Sequence, residues 1–172
     1  MSLNINVTHD CKLLSINAKS YVSGASGSLQ VTNYATGGTM SSAKTINFNG
    51  ANGTGRVNIS IADLSSPNGV FKVCLIENGI EQVCKPILIH CNLDCCLTKL
   101  TNELLECSCD CVRCSATLAK AQKIFLLLQA ASSSVSIAST AQGSQNEGYY
   151  VDILEKYNKA VELCDSNCGC DC

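Results

Sequence analysis

The sequence predicts an α+β chain: an N-terminal Ig-like antiparallel β-sandwich over residues 1–90, then a small cysteine-stapled three-helix domain over residues 91–172. Three observations predict it. Up to about residue 90, apolar side chains alternate with polar ones, and Gly, Ser, Thr and Asn punctuate the runs. Beyond that point the apolar period changes from 2 to about 3.6, the spacing of an amphipathic helix. Eleven of the fourteen cysteines also fall between Cys91 and Cys172.

In the first half, SLNINVT places Leu3, Ile5 and Val7 on one face, and CKLLSINAK follows the His9–Asp10 corner. GASG precedes SLQVTNYA, and TGG precedes AKTINFNG, with Ile46 and Phe48 inward. RVNISIADL alternates Val57, Ile59 and Ile61. SSPNG turns into VFKVCLI, and Glu77-Asn78-Gly79 signals a hairpin into EQVCKPILIH. About seven short strands with turns every 8–12 residues fit an Ig-like sandwich. The chain has no Trp, so the cysteine–tryptophan–cysteine core of antibody domains is missing and the expectation concerns architecture alone. The glycines form no Rossmann or P-loop pattern and read as turns.

In the second half, Leu93, Leu97, Leu100 and Leu104 mark a helix over residues 92–106. Leu118, Ala121, Phe125 and Leu128 mark a second, from about 112 to 131. SSSVSIASTAQGSQNEG reads as a loop or frayed helix end. Tyr150, Leu154, Tyr157 and Val161 form the stripe of a third helix, with Cys164 three residues further along. AQKIFLLLQAA and YNKAVELC also suggest a tetratricopeptide-like hairpin, but one pair makes no repeat array. An up-down-up arrangement would return the end of the third helix to the turn between the first two.

Twelve basic and fourteen acidic residues give a formal net charge of −2, so there is no electrostatic footprint for nucleic acid. The longest apolar run, Ile124 to Leu128, is far shorter than the roughly 20 residues that span a bilayer. MSLNINVTHD lacks the basic and apolar regions of a signal peptide. Fourteen cysteines nevertheless suggest an oxidising environment, with zinc-bound thiolates as the rival. A particle assembled in cytoplasm and oxidised after release reconciles the two.

The densest groups are Cys107, Cys109, Cys111 and Cys114, and Cys164, Cys168, Cys170 and Cys172. The proposed topology brings these eight sulfurs to one end of the bundle, as disulfides or as a metal cluster. Cys111-x-x-Cys114 and Cys164-x3-Cys168 suit tetrahedral zinc. Eight cysteines allow 105 disulfide connectivities, and spacing selects none of them. Cys91, Cys95 and Cys96 lie at the domain junction, where Cys91 has Cys11 or Cys84 as candidate partners. Adjacent Cys95 and Cys96 point in different directions on a helix and do not pair with each other. Cys74 and Cys84 flank the hairpin and pair only if a bulge sets them on one face; otherwise they are buried thiols.

No catalytic constellation emerges, and the chain is expected not to be an enzyme. His9 with Cys11 lacks a third orienting group, and Cys111-x-x-Cys114 lacks the strand-to-helix setting of a thioredoxin motif. His90 with Cys91, Cys95 and Cys96 is a weaker zinc alternative. Asp152, Glu155 and Glu162 read as a solvated helix face. Sequons at Asn6, Asn52 and Asn58 matter only in a eukaryotic secretory pathway.

At the domain join, GVFKVCLIENGIEQVCKPILIHCNLDCCLTKL resembles a group of tailed-bacteriophage virion proteins in which a β-domain hairpin runs into a C-x3-CC-x2-KL helix. CDCVRCSATLAKAQKIFLLLQ and YNKAVELCDSNCGCDC look like the cysteine-bounded helices of the same group. The resemblance covers about residues 69–172 and transfers no catalytic residue. It implies a non-enzymatic virion structural protein in capsid decoration, neck or tail. Its partners would be other virion structural proteins, with the chain a homo-oligomer or present in many symmetric copies, and neither nucleic acid nor membrane is bound. The expected location is an extracellular particle assembled in host cytoplasm, without cofactor. The alternatives are an intracellular zinc-binding interaction module and a secreted or surface filament subunit.

Overall fold

A computed structural model describes residues 6–9, 11–19, 26–40, 43–50, 53–107, 111–140 and 146–165. The chain divides into two compact units, Met1–Ile89 and His90–Cys172. The first holds antiparallel sheets and the second three helices, so the class is α+β.

In the first unit the strands are β1 Asn6–His9, β2 Leu13–Lys19, β3 Ser26–Asn33, β4 Lys44–Asn47, β5 Thr54–Ser60, β6 Gly69–Glu77 and β7 Ile80–Ile89. One sheet has the order β1-β2-β5 and the other β4-β3-β6-β7. Period-2 alternation explains the faces: Leu14, Ile16 and Ala18 of β2 and Leu29 and Val31 of β3 are buried. Ser15, on the other face of β2, is also buried, and its hydroxyl donates to Asn58 Oδ1 at 2.8 Å, across the β2–β5 pair. Ile46 and Phe48 are buried. Ile61 leaves the β5 alternation for a single 3-10 turn, Ile61–Asp63, whose start is capped by the Ser60 side chain accepting from the Ala62 amide. Leu3 and Ile5 lie outside the described residues.

The β6–β7 hairpin turns where the sequence signals it. Asn78 and Gly79 both adopt positive φ, 53° and 77°, which suits a type I′ turn and the right-handed twist of the strands it joins. At β3's end, buried Asn33 forms an Asx turn, its Oδ1 accepting from the Ala35 and Thr36 amides.

In the second unit the helices are α1 Cys91–Leu105, α2 Cys111–Thr140 and α3 Asn146–Asp165. The buried stripe of α3 is Tyr150, Ile153, Tyr157, Ala160 and Cys164, at the i, i+3, i+7 spacing of a packed helix. Its counterpart on α2 is Ile124, Leu128, Ala131, Ser134 and Ala138. Two expectations change here. Phe125 and Leu118, expected on the inward stripe, are 56% and 46% exposed, because the stripe runs through Ile124 instead. The serine-rich segment expected as a loop is helical as far as Thr140. Ser133 and Ser136 satisfy their hydroxyls on carbonyls four residues back, and small Ala131, Ser134 and Ala138 admit α3 at close range.

Candidate functional site

The described cysteines are organised by disulfides. Cys74 and Cys84 are bonded across β6 and β7, with Cα atoms 4.1 Å apart. A regular hairpin closed by Asn78–Gly79 would set Cys74 opposite Val83. A bulge between Leu75 and Ile76, with Gln82 as the extra residue on β7, shifts the register so that Cys74 faces Cys84. Cys84 is thereby removed as a partner for Cys91. Cys11, Cys91 and Cys95 are also disulfide-bonded.

Within the helical unit, Cys107 is bonded to Cys114, closing the α1–α2 connection at a Cα separation of 6.0 Å. Cys96 is bonded to Cys164, tying α1 to α3 at 6.1 Å. This moves Cys164 alone out of the expected pairing with the second cysteine group. Cys164 reaches α1, not the α1–α2 turn, because α2 has 30 residues and α3 only 20. At a rise of about 1.5 Å per residue, an antiparallel α3 ends well short of the start of α2. In this oxidation state neither Cys114 nor Cys164 is available for the tetrad with Cys111 and Cys168. Cys109, Cys168, Cys170 and Cys172 lie outside the described residues, and Cys111 opens α2 without a described side chain.

The alternative zinc set at the start of α1 is likewise occupied. Cys91, Cys95 and Cys96 are in disulfides, and the His90 imidazole Nδ1 sits 3.1 Å from Asp94 Oδ1. His9 lies on β1 with no described side chain.

One polar cluster was not legible in the sequence. Asp152, with its side chain 44% exposed, is solvated as expected but also bonded across the helix pair. The Ser134 hydroxyl donates to its Oδ2 at 2.6 Å, and the Lys156 ammonium donates both to Ser134 Oγ, at 3.1 Å, and to the same carboxylate. The Lys156 hydrogen bond, then that of Ser134, holds the Asp152 carboxyl below its usual range. A serine beside a lysine raises the question of a nucleophile. Here the Ser134 hydroxyl donates to Asp152 and the Lys156 Nζ donates to Ser134 Oγ, so the lysine faces the hydroxyl as a donor and not as a base. Ser134 also stands mid-helix among amides committed to the helix ladder. The cluster is a clasp between α2 and α3. Glu155 and Glu162 are exposed.

A cleft of about 610 Å³ lies beside the ends of β2 and β5. Among the described residues, Lys19, Arg56, Asn17, Asn47 and Thr54 line it, and no carboxylate, His or Cys does. These residues offer hydrogen bonds and positive charge.

Two surfaces bear on partners. β7, at the edge of its sheet, carries Pro86, which has no amide to donate, and Lys85, which shares the core-facing side of its partner Val73. Burial pushes the Lys85 ammonium below the usual lysine range. Both features block strand addition at that edge. By contrast, α2 exposes Phe125, Leu126 and Ile137, at 56%, 61% and 52%, and carries no charged residue from Ile124 to Thr140. Among the described residues no helix is long and apolar enough to cross a membrane. No protein-family model matches this sequence, and a search of curated proteins finds no match.

Proposed function

We propose that the protein is a non-enzymatic structural component of a bacteriophage virion (capsid decoration, neck or tail), present in several copies and acting through protein–protein contacts. The observation that carries this reading is the outer face of α2. An uncharged helix face with three large apolar side chains in water is the composition of an interface core, not of a solvated surface. The unit that presents it is cross-linked by Cys96–Cys164 and Cys107–Cys114, which suits a part that must keep its shape while others bind. The virion setting rests on the resemblance of residues 69–172 to tailed-phage virion proteins. A cytoplasmic assembly that oxidises on release accommodates the disulfides.

The first unit is read as an Ig-like sandwich. Its support is the strand order, β1-β2-β5 and β4-β3-β6-β7. Constant-type antibody domains place the fourth strand beside the fifth, whereas here β4 pairs with β3. Fold alone does not confer an activity, so the unit is taken as a docking module.

An antibody raised against the recombinant protein and applied to gradient-purified particles tests the reading. Labelling at a fixed position in electron micrographs is the expected result. Particles without label, with the protein confined to the soluble lysate, would overturn it. Reduced thiols with stoichiometric zinc in the natively isolated protein would instead favour an intracellular interaction module.

A further inference from the structure

Glu81 and Cys84 are three residues apart on β7, and on a regular strand they would point to opposite faces of the sheet. The bulge removes that separation. With Gln82 unopposed, Ile76 stands opposite Glu81 and Cys74 opposite Cys84. Ile76 and Cys74 are two residues apart on β6 and share a face, so Glu81, Cys74 and Cys84 share it too. The two sulfurs and a Glu81 carboxylate oxygen lie within 4.8 Å of one another. Glu81 Oε2 is 3.4 Å from Cys84 Sγ. A disulfide sulfur carries no hydrogen, so this approach is not a hydrogen bond in the oxidised protein. The charge on the carboxylate is met by Lys72 Nζ, 3.1 Å away.

We infer that reduction of the Cys74–Cys84 disulfide turns these three side chains into a binding site for a soft divalent cation, with zinc(II) as the fitting ion. The donor set is two thiolates and one carboxylate, with water as the fourth ligand, which is the composition of an open tetrahedral zinc site. Zinc–sulfur bonds of about 2.3 Å place two tetrahedral thiolates roughly 3.8 Å apart. Once the sulfur–sulfur bond is broken, side-chain rotation within the existing cross-strand pair supplies that separation. The ladder between β6 and β7 stays in place. Three ligand charges against a divalent ion leave one negative charge, which the Lys72 ammonium balances from its present position.

The chemistry closes. A phosphine reductant gives two electrons to the disulfide and becomes a phosphine oxide, taking its oxygen from water, while each sulfur gains a proton. Zinc binding then releases both protons, and Glu81 exchanges Lys72 for the metal. A peroxide oxidant takes two electrons from the two thiolates and is reduced at its O–O bond to hydroxide or alkoxide, which reforms the sulfur–sulfur bond and expels the ion. The same three residues are therefore a metal site under reducing conditions and a cross-link under oxidising ones. This inference does not depend on the virion reading.

The test uses the full chain, reduced by the phosphine in metal-free buffer, with and without zinc chloride. Timed alkylation by iodoacetamide and peptide mass mapping give the rate at half-buried Cys84. Zinc is expected to slow that rate at least tenfold in the wild type, and E81Q, a substitution at an exposed position, to restore most of it. C74A/C84A is expected to bind one zinc per chain fewer than the wild type. An alkylation rate unaffected by zinc, full protection in E81Q, or equal zinc stoichiometry in C74A/C84A would each overturn the inference.

Discussion

The Cys96–Cys164 bond offers the sharpest test of how the helical unit is held together. It closes a stretch of 68 residues, against 7 for Cys107–Cys114 and 10 for Cys74–Cys84. In the chain-entropy treatment, closing a loop restricts the unfolded ensemble and so favours the folded state. That relation gives about 4.4 kcal/mol for the 68-residue loop and about 2.4 kcal/mol for the 7-residue loop. The short loop lies inside the long one and lowers the larger figure by only about 0.1 kcal/mol. Domains are typically stable by about 5–15 kcal/mol, so loss of the long link removes a large share.

The experiment is urea denaturation of oxidised wild type, C96A/C164A and C107A/C114A. Far-UV circular dichroism near the helix minimum follows the helical unit, since the β unit contributes little there. C96A/C164A should lower the midpoint by roughly 1.5 M or more, given slopes of about 1–3 kcal/mol/M. C107A/C114A should fall by about half as much. The reasoning is refuted if C96A/C164A unfolds within about 0.5 M of the wild type, or if the short-loop variant falls as far as the long-loop one.

Other perturbations read other parts of the fold. The Asp152 carboxyl has a lowered pKa when folded, so the stability it confers is full above the ordinary value of about 3.9 and disappears as pH falls through the lower folded value. D152N should therefore lose about 0.5–1.5 kcal/mol near neutrality, and urea titrations in acid should show the gap from wild type closing. G55V should fail to fold or lose about 3 kcal/mol in thermal denaturation, because even a Cβ at Gly55 would meet the Asn47 carbonyl oxygen at 2.6 Å. G79A should lower stability by about 1 kcal/mol, measured by the same melt, because residue 79 sits at φ +77°. I124A, at a fully buried position, should lose about 2–5 kcal/mol, while F125A on the exposed face should lose little stability but reduce self-association in light scattering.

Much of the architecture was legible because period is a local property. Alternation at Leu14, Ile16 and Ile59, and the Asn78–Gly79 turn, depend only on neighbours along the chain. The helix stripe through Tyr150, Tyr157 and Cys164 was legible for the same reason. The inward face of α2 was not. That helix spreads its apolar residues around its circumference, so the sequence offers several stripes and α3 selects the one through Ile124, Ala131 and Ala138. The serine-rich stretch misled in the opposite sense. Ser133, Ser134 and Ser136 suggest a loop by composition, yet their hydroxyls fold back on the helix or reach Asp152, and their small size is what the packing needs.

By itself, then, the sequence determined the α+β class, the switch of period near residue 90 and a second half dense in cysteine, since each is written in residue type and spacing. Only the tertiary structure decided which sulfurs meet. Cys96 finds Cys164 because α2 outruns α3, and Cys74 finds Cys84 because one unpaired residue, Gln82, shifts a register. Pairing depends on helix lengths and strand register summed over distance, and those sums are fixed only when the elements pack.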